Sequence, residues 1–122
     1  MKIYKCMHCG NLFLVLDDSG VVPVCCGDNM TALKPNTIDA ALEKHVPVIA
    51  KDGNKITVDI GSTPHPMEPE HYIEWVMLVD GDKTQLVALH PGEQPQATFT
   101  TDSDNLVAYA YCNIHGLWVS GN

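Results

Sequence analysis

Lys55-Ile56-Thr57-Val58-Asp59-Ile60 decides the fold. Apolar and polar residues alternate through it, so Ile56, Val58 and Ile60 fall on one face of an extended chain and the polar residues on the other. That is the pattern of a half-buried β-strand. Downstream, residues 72–79 are rich in aromatic and branched side chains, with Glu74 as the only charge. Strand-like segments follow at 84–89, 96–100, 106–112 and 117–119. Between them lie Asp80-Gly81-Asp82, Pro91-Gly92 and Thr101-Asp102-Ser103-Asp104-Asn105, all turn chemistry. Short strands at this density predict an all-β fold, an antiparallel sandwich running from His45 to the end of the chain.

Upstream the chain is poorer in core material. Residues 1–36 intersperse Ile3, Tyr4, Leu12–Leu16, Val21, Val22 and Val24 with turns at Cys9-Gly10 and Asp17-Asp18-Ser19-Gly20, the second expected to join two short strands. So small a unit buries too little apolar surface to fold without a staple. Lys34-Pro35-Asn36-Thr37 reads as a linker, and residues 37–44 as a short helical turn capped by Thr37. The expected division is therefore a stapled domain at 1–36 and a sandwich at 37–122.

Composition narrows the function. The apolar content of 45% is ordinary for a globular protein, and no apolar run approaches the ~18 residues needed to cross a bilayer. The start, Met1-Lys2-Ile3-Tyr4-Lys5-Cys6, lacks the apolar stretch of a signal peptide, which points to the cytoplasm and no membrane association. In a reducing compartment, cysteines at metal spacing are ligands rather than disulfides. The formal charge is −8, and all seven basic residues are lysines. No basic stretch tracks a phosphate backbone, so nucleic acid is not an expected partner. An anionic substrate would need a locally positive site.

The cysteines and histidines fall into two groups. Cys6-Met7-His8-Cys9 with the pair Cys25-Cys26 offers four thiolates, a set that suits zinc and iron alike. Side chains of adjacent residues ordinarily point apart, so Cys25 and Cys26 on one ion should strain the site. Disulfides Cys6–Cys25 and Cys9–Cys26 are the alternative in an oxidised protein. The second group is His45, His65, His71, Cys112 and His115. His65 is clamped between Pro64 and Pro66, His71 precedes a strand, and Cys112-Asn113-Ile114-His115 follows one. Residues at strand ends and rigid turns can converge at one end of a sandwich. Four imidazoles and one thiolate fill five of six octahedral positions, and an open position is where a metal does chemistry. Surface histidines near a structural Cys112 are the plainer alternative. His8 reads as pointing to water and His90 as a turn residue.

These residues resemble a known family. Cys-x-x-Cys, the Cys-Cys pair, Glu-Lys-His-Val-Pro-Val at 43–48, Gly-Ser-Thr-Pro-His-Pro-Met at 61–67, His-Tyr-Ile-Glu-Trp at 71–75 and Tyr-Cys-Asn-Ile-His-Gly-Leu-Trp at 111–118 are similar to the desulfoferrodoxins, two-iron superoxide reductases. The resemblance runs through the whole chain in order. It implies a desulforedoxin-like domain with a rubredoxin-like iron on Cys6, Cys9, Cys25 and Cys26. It implies an immunoglobulin-like, seven-stranded sandwich whose iron has equatorial His45, His65, His71 and His115 and axial Cys112. It also implies a homodimer that reduces superoxide to hydrogen peroxide with electrons from rubredoxin or a similar donor.

On that resemblance Lys44 guides the anion, and Glu43 can occupy the sixth position in the oxidised resting state. A ferrous ion with one thiolate and four neutral imidazoles carries +1 locally, and a ferric tetrathiolate carries −1, so the second centre is the electropositive one. The Ile114 and His115 N–H groups are candidates to bond the Cys112 sulfur and moderate its electron donation. The tetrathiolate iron has two roles open to it, electron relay and structural staple. Three other readings remain: a rubredoxin-like electron carrier with a structural second metal, a zinc-stapled binding module, and a dismutase.

Overall fold

The computed structural model describes residues 1–38 and 40–121. The chain divides into two units, Met1–Lys34 and the remainder from Pro35. The boundary lies two residues ahead of the expected one. Asn36 belongs to the second unit: its N–H donates to the Leu117 carbonyl at 3.1 Å, and its side-chain Oδ1 accepts from Val119 N–H at 2.9 Å.

The first unit contains β1 (Ile3–Lys5), β2 (Leu12–Leu14), β3 (Val24–Cys25), β4 (Asp28–Asn29) and β5 (Thr31–Ala32). They form a three-stranded sheet ordered β2-β1-β5 and a separate hairpin β3-β4. Asp17–Gly20 lies between the short strands β2 and β3, as expected, although these do not pair with each other: β2 pairs with β1, and β3 with β4. The core of this unit is small: Tyr4, Cys6 and Met30 cluster with Val15 and Cys25 against them, and Ile3 is buried as well. So few buried side chains offset little of the entropy lost on ordering the unit. A cross-link through the cysteines supplies what the core lacks.

The second unit begins with one helical turn, α1 (Leu42–His45), and continues as β6 (Pro47–Asp52), β7 (Lys55–Ile60), β8 (Ile73–Asp80), β9 (Lys83–Ala88), β10 (Gln96–Thr100), β11 (Leu106–Cys112) and β12 (Gly116–Val119). The helical turn is shorter than the expected 37–44. Its N-cap is Ala41, with no side-chain bond, and not Thr37. Asp39, within the expected turn, lies outside the described residues. Seven antiparallel strands form two sheets, β10-β7-β6 and β12-β11-β8-β9. The chain crosses between them after β7, β9 and β10, the Greek-key habit of an immunoglobulin-like sandwich. The hairpins β6–β7 and β8–β9 close through two-residue loops that open on Gly53 (φ 62°) and Gly81 (φ 57°).

The core lies between the sheets. Ile56, Val58, Ile60, Ala97 and Phe99 come from one, and Ile73, Val76, Leu78, Ala108, Ala110 and Cys112 from the other. The alternation at Lys55–Ile60 is thus realised as read, with its three apolar residues at most 1% exposed. Strand β6 carries no clear strand pattern, because Pro47, Ala50, Lys51 and Asp52 interrupt its alternation. Cys112 ends β11, and His71 and His115 occupy the turns beside it, so strand geometry delivers three of the candidate ligands to one end of the sandwich.

Candidate metal centres

In the first unit, Cys6-Met7-His8-Cys9-Gly10 closes a knuckle. Gly10 N–H donates to the Cys6 carbonyl at 2.9 Å and Cys9 N–H to the Cys6 sulfur at 3.5 Å. Gly10 sits at φ 83°, a turn that a side chain would resist. The other two sulfurs come from the β3–β4 hairpin, whose two-residue loop is Cys26-Gly27. Both loop residues have positive φ, 54° and 80°, as a type I′ turn requires. The strain expected of an adjacent cysteine pair is therefore carried in the backbone of Cys26, whose left-handed conformation turns both thiols to the same point.

The four sulfurs lie within 4.8 Å of one another, with Cys9–Cys25 at 3.7 Å and Cys25–Cys26 at 4.0 Å. Sulfurs ~2.3 Å from a common ion at tetrahedral angles would be ~3.8 Å apart. Hydrogen bonding, led by the Cys9 N–H, lowers the Cys6 thiol to about 6, whereas the Cys9, Cys6 and Cys25 sulfurs push Cys26 up to about 12. Four thiolates cannot share this space without a cation, and the donor set fits one. His8 does not simply face water: its Nε2 pairs with the Asp28 carboxylate on the exposed side of this centre.

In the second unit, His45 closes α1, His65 stands in the proline-flanked turn, and His71 precedes β8. The four imidazoles form a ring. Successive centroids, His45–His65, His65–His71, His71–His115 and His115–His45, are 4.6, 4.7, 5.1 and 4.9 Å apart, each pair edge to face. Across the ring, His45 and His71 are 6.4 Å apart. His45 Nε2 is 3.1 Å from His65 Nε2 and 3.1 Å from His115 Nδ1. Two nitrogens ~2.1 Å from one ion and at right angles would be ~3 Å apart. The Cys112 sulfur is within 4.8 Å of the His45, His65 and His71 donor atoms and 3.9 Å from His115 Nδ1.

Tautomers and burial suit the same purpose. His45 Nδ1–H donates to the Ala41 carbonyl and His65 Nδ1–H to the Pro66 carbonyl, both at 2.7 Å, which leaves each Nε2 as a lone-pair donor. His71 Nε2 is buried and has no hydrogen-bond partner. An orphaned imidazole nitrogen among three others is costly unless a cation takes it. Burial holds His45 and His71 below the ordinary histidine value and His65 down to about 4, so these three imidazoles are neutral at pH 7. Burial pushes the Cys112 thiol up, opposed by the backbone N–H groups of His115 and Ile114, the first 3.4 Å from the sulfur. The residues present fit iron with four imidazoles and one thiolate.

Glu43 and Lys44 are exposed on the helical turn that ends in His45. After burial and the neighbouring imidazoles, the Lys44 charge also disfavours a proton on His45 and His71. A loop braces the turn. Thr63 N–H donates to the Glu43 carbonyl at 2.8 Å, and Gly61 N–H to the Val46 carbonyl at 3.2 Å. Gly61, at φ 83°, permits this approach, because a Cβ there would meet the Thr63 and Glu43 carbonyl oxygens at 2.5 and 2.6 Å. The spacing of the ligands was legible in the sequence. Gly61, the Trp118 indole and the Asn113 amide were not assigned there, although the last two lie in the quoted stretch 111–118.

A seven-stranded sandwich with a histidine–thiolate centre, preceded by a small four-thiol unit, defines a class of two-centre non-haem metalloproteins. The chain belongs to the desulfoferrodoxin family: residues 37–121 match the family described as Desulfoferrodoxin, and residues 1–33 match Desulfoferrodoxin, N-terminal domain. A desulfoferrodoxin homolog of Archaeoglobus fulgidus is 50% identical over 121 residues, 99% of this chain and 97% of the relative. A desulfoferrodoxin of Nitratidesulfovibrio vulgaris is 49% identical over 117 residues, 96% of this chain and 93% of the relative. The crystal structure of the superoxide reductase from Treponema pallidum superposes with a TM-score of 0.79 at 34% identity, covering 99% of this chain and 100% of that one.

Proposed function

We propose that this chain is a superoxide reductase, converting superoxide, one electron and two protons into hydrogen peroxide at the histidine–cysteine centre. The observation that carries the reading is the ring of four imidazoles in which His71 Nε2 is orphaned, with the Cys112 sulfur beside it. Supporting it, the Treponema pallidum structure covering this whole chain bears the name superoxide reductase. His45, His65, His71, His115 and Cys112 would hold ferrous iron, which would supply the electron and an open position for the substrate.

The chain's own residues do the rest. The carbonyls of Ala41 and Pro66 orient two imidazoles and fix their tautomers. The His115 N–H, bonded to the Cys112 sulfur, withdraws charge from the thiolate and moderates its donation. Lys44 supplies the local positive field that a chain of charge −8 otherwise lacks. An ammonium ~4 Å from an anion gains ~1 kcal/mol in bulk water and ~4 kcal/mol at an effective dielectric of about 20. Glu43, exposed beside it, would supply a carboxylate to the open position of an oxidised iron.

The four-thiol centre is read as a rubredoxin-like iron, with an external rubredoxin-type protein as electron donor. A homodimer is the proposed assembly. In its support, Phe13, Leu16, Val21 and Val24 are exposed on the small unit, apolar side chains that a partner surface would cover. The cytoplasm is the proposed location, since all five cysteines are free thiols placed as ligands. No described helix is long and apolar enough to cross a membrane. Mixing the anaerobically reduced protein with superoxide tests the function: the centre should be oxidised in a second-order reaction approaching the diffusion limit. A centre that stays reduced would overturn it.

A further inference from the structure

The turn after β11 carries a group that the ligand set leaves unused. Asn113 lies between the ligands Cys112 and His115, and its amide reaches across to the segment bearing His71. Tyr72 N–H donates to Asn113 Oδ1 at 3.0 Å, Asn113 Nδ2 donates to the Glu70 carbonyl at 3.1 Å, and Asn113 N–H donates to the Tyr72 carbonyl at 3.2 Å. Glu70 and Tyr72 are the two neighbours of His71. The β8–β11 ladder shifts register between Tyr111 and Cys112 and ends at Cys112↔Ile73. Beyond that pair, the Asn113 side chain continues the pairing as a backbone amide would. On its other side, His71 exchanges two 3.0 Å backbone bonds with Glu68.

We propose that Asn113 is a positioning residue for the histidine–cysteine centre: its amide clasps the chain on both sides of His71 and holds that imidazole in register with Cys112 and His115. His45 and His65 are oriented by ring bonds to carbonyls. The bonds around His71 run instead through the backbone of its neighbours, and its Nε2 is the buried nitrogen without a partner. The clasp needs a donor and an acceptor on one short planar group. Aspartate offers only acceptors, serine lacks the reach, and alanine has neither. The inference rests on the reading of this centre as an iron site.

The test uses the full chain with ferrous iron under anaerobic competition with a chelator. Iron uptake by the parent, measured first, tests the underlying reading separately. Asn113→Ala and Asn113→Asp should hold iron at the histidine centre ~10–100-fold less tightly, the scale for removing a group that orients a ligand. The thiolate absorption of that oxidised centre should shift while the four-thiol spectrum stays constant. Thr101→Val is the comparator: it removes a 2.6 Å bond to Asp80 at the other end of β8, and should leave iron affinity unchanged. If Asn113→Ala fails to fold, Asn113→Asp, which keeps the acceptor, decides the matter. A readout without iron is the ring resonances of the metal-free protein, where His71 should broaden or shift more than His45 and His65. Unaltered iron affinity and His71 resonances in the Asn113 variants, or equal loss of iron in Thr101→Val, would overturn the proposal.

Discussion

The His45 imidazole is stacked on the Trp118 indole, ring centroids 4.7 Å apart and planes 27° from parallel. The same indole N–H donates to the carbonyl of His115 at 3.1 Å, and Trp118 is fully buried. One side chain thus supports two neighbouring ligands, through its face and its edge. Trp118→Phe keeps a face for His45 and removes the edge. We expect a loss of ~1 kcal/mol in stability from the unpaired carbonyl and a several-fold faster release of iron from the histidine centre. Urea titration and chelator competition measure the two effects. Iron release as slow as in the parent would show that the indole only fills space.

The two centres should be separable, because they share no residue and lie in different units. Cys112→Ser should abolish superoxide reduction and leave the four-thiol iron bound. Cys9→Ser should lose or alter the four-thiol iron and keep the histidine centre reactive. Metal analysis, visible spectra and rapid mixing read both variants. A folded Cys9→Ser protein whose histidine centre no longer reacts would instead support an electron relay between them.

Lys44→Ile tests electrostatic guidance. Lys44 adjoins the ligand His45, and its charge is felt by His45 and His71. Losing ~1.4 kcal/mol of attraction corresponds to about tenfold in rate, so the bimolecular reaction with superoxide should slow by roughly that factor or more. The ionic-strength dependence should weaken or change sign, with metal content as in the parent. Rates across a salt series decide, and an unchanged rate with an unchanged salt slope would leave Lys44 a solvated surface residue.

How much of this was legible in the sequence depended on where the information sits. The β7 alternation is local, so Ile56, Val58 and Ile60 could be read directly; β6, broken by Pro47 and Lys51, could not. Ligand identities were legible because cysteine and histidine are rare and their spacing is distinctive. The cost of the Cys25-Cys26 pair was legible too, but not its solution, a left-handed Cys26 in a hairpin turn. The roles of Asn113, Gly61 and Trp118 come from strand register and loop packing that bring distant segments together. Asn113 sits inside Cys-x-x-His as one of the two unspecified residues, and only the pairing of β11 with β8 shows why an amide is there.

Acid should weaken the metal-free sandwich. His45, His65 and His71 all have folded-state values below the ordinary 6.5, with His65 at about 4. The unfolded chain therefore binds more protons than the folded one between those values, and stability rises with pH there. The contribution is fully present above pH ~6.5 and is lost as the pH falls towards ~4, at about 1.4 kcal/mol for each unit of depression. Urea titrations of the metal-free chain at pH 7 and 4.5 give the comparison. The fluorescence of Trp75 and Trp118 reports the sandwich alone, since both tryptophans lie there. Equal midpoints at the two pH values would contradict the depressed values of these three imidazoles.

On the proposed function, this centre reduces superoxide without also oxidising it. The direct measurement is the ratio of hydrogen peroxide formed and donor electrons consumed to superoxide removed, at catalytic concentrations of the iron-loaded chain with a reduced rubredoxin as donor. A reductase forms one peroxide and consumes one donor electron for each superoxide. One peroxide for every two superoxides, with oxygen released and the donor left reduced, would make the protein a dismutase and contradict the account.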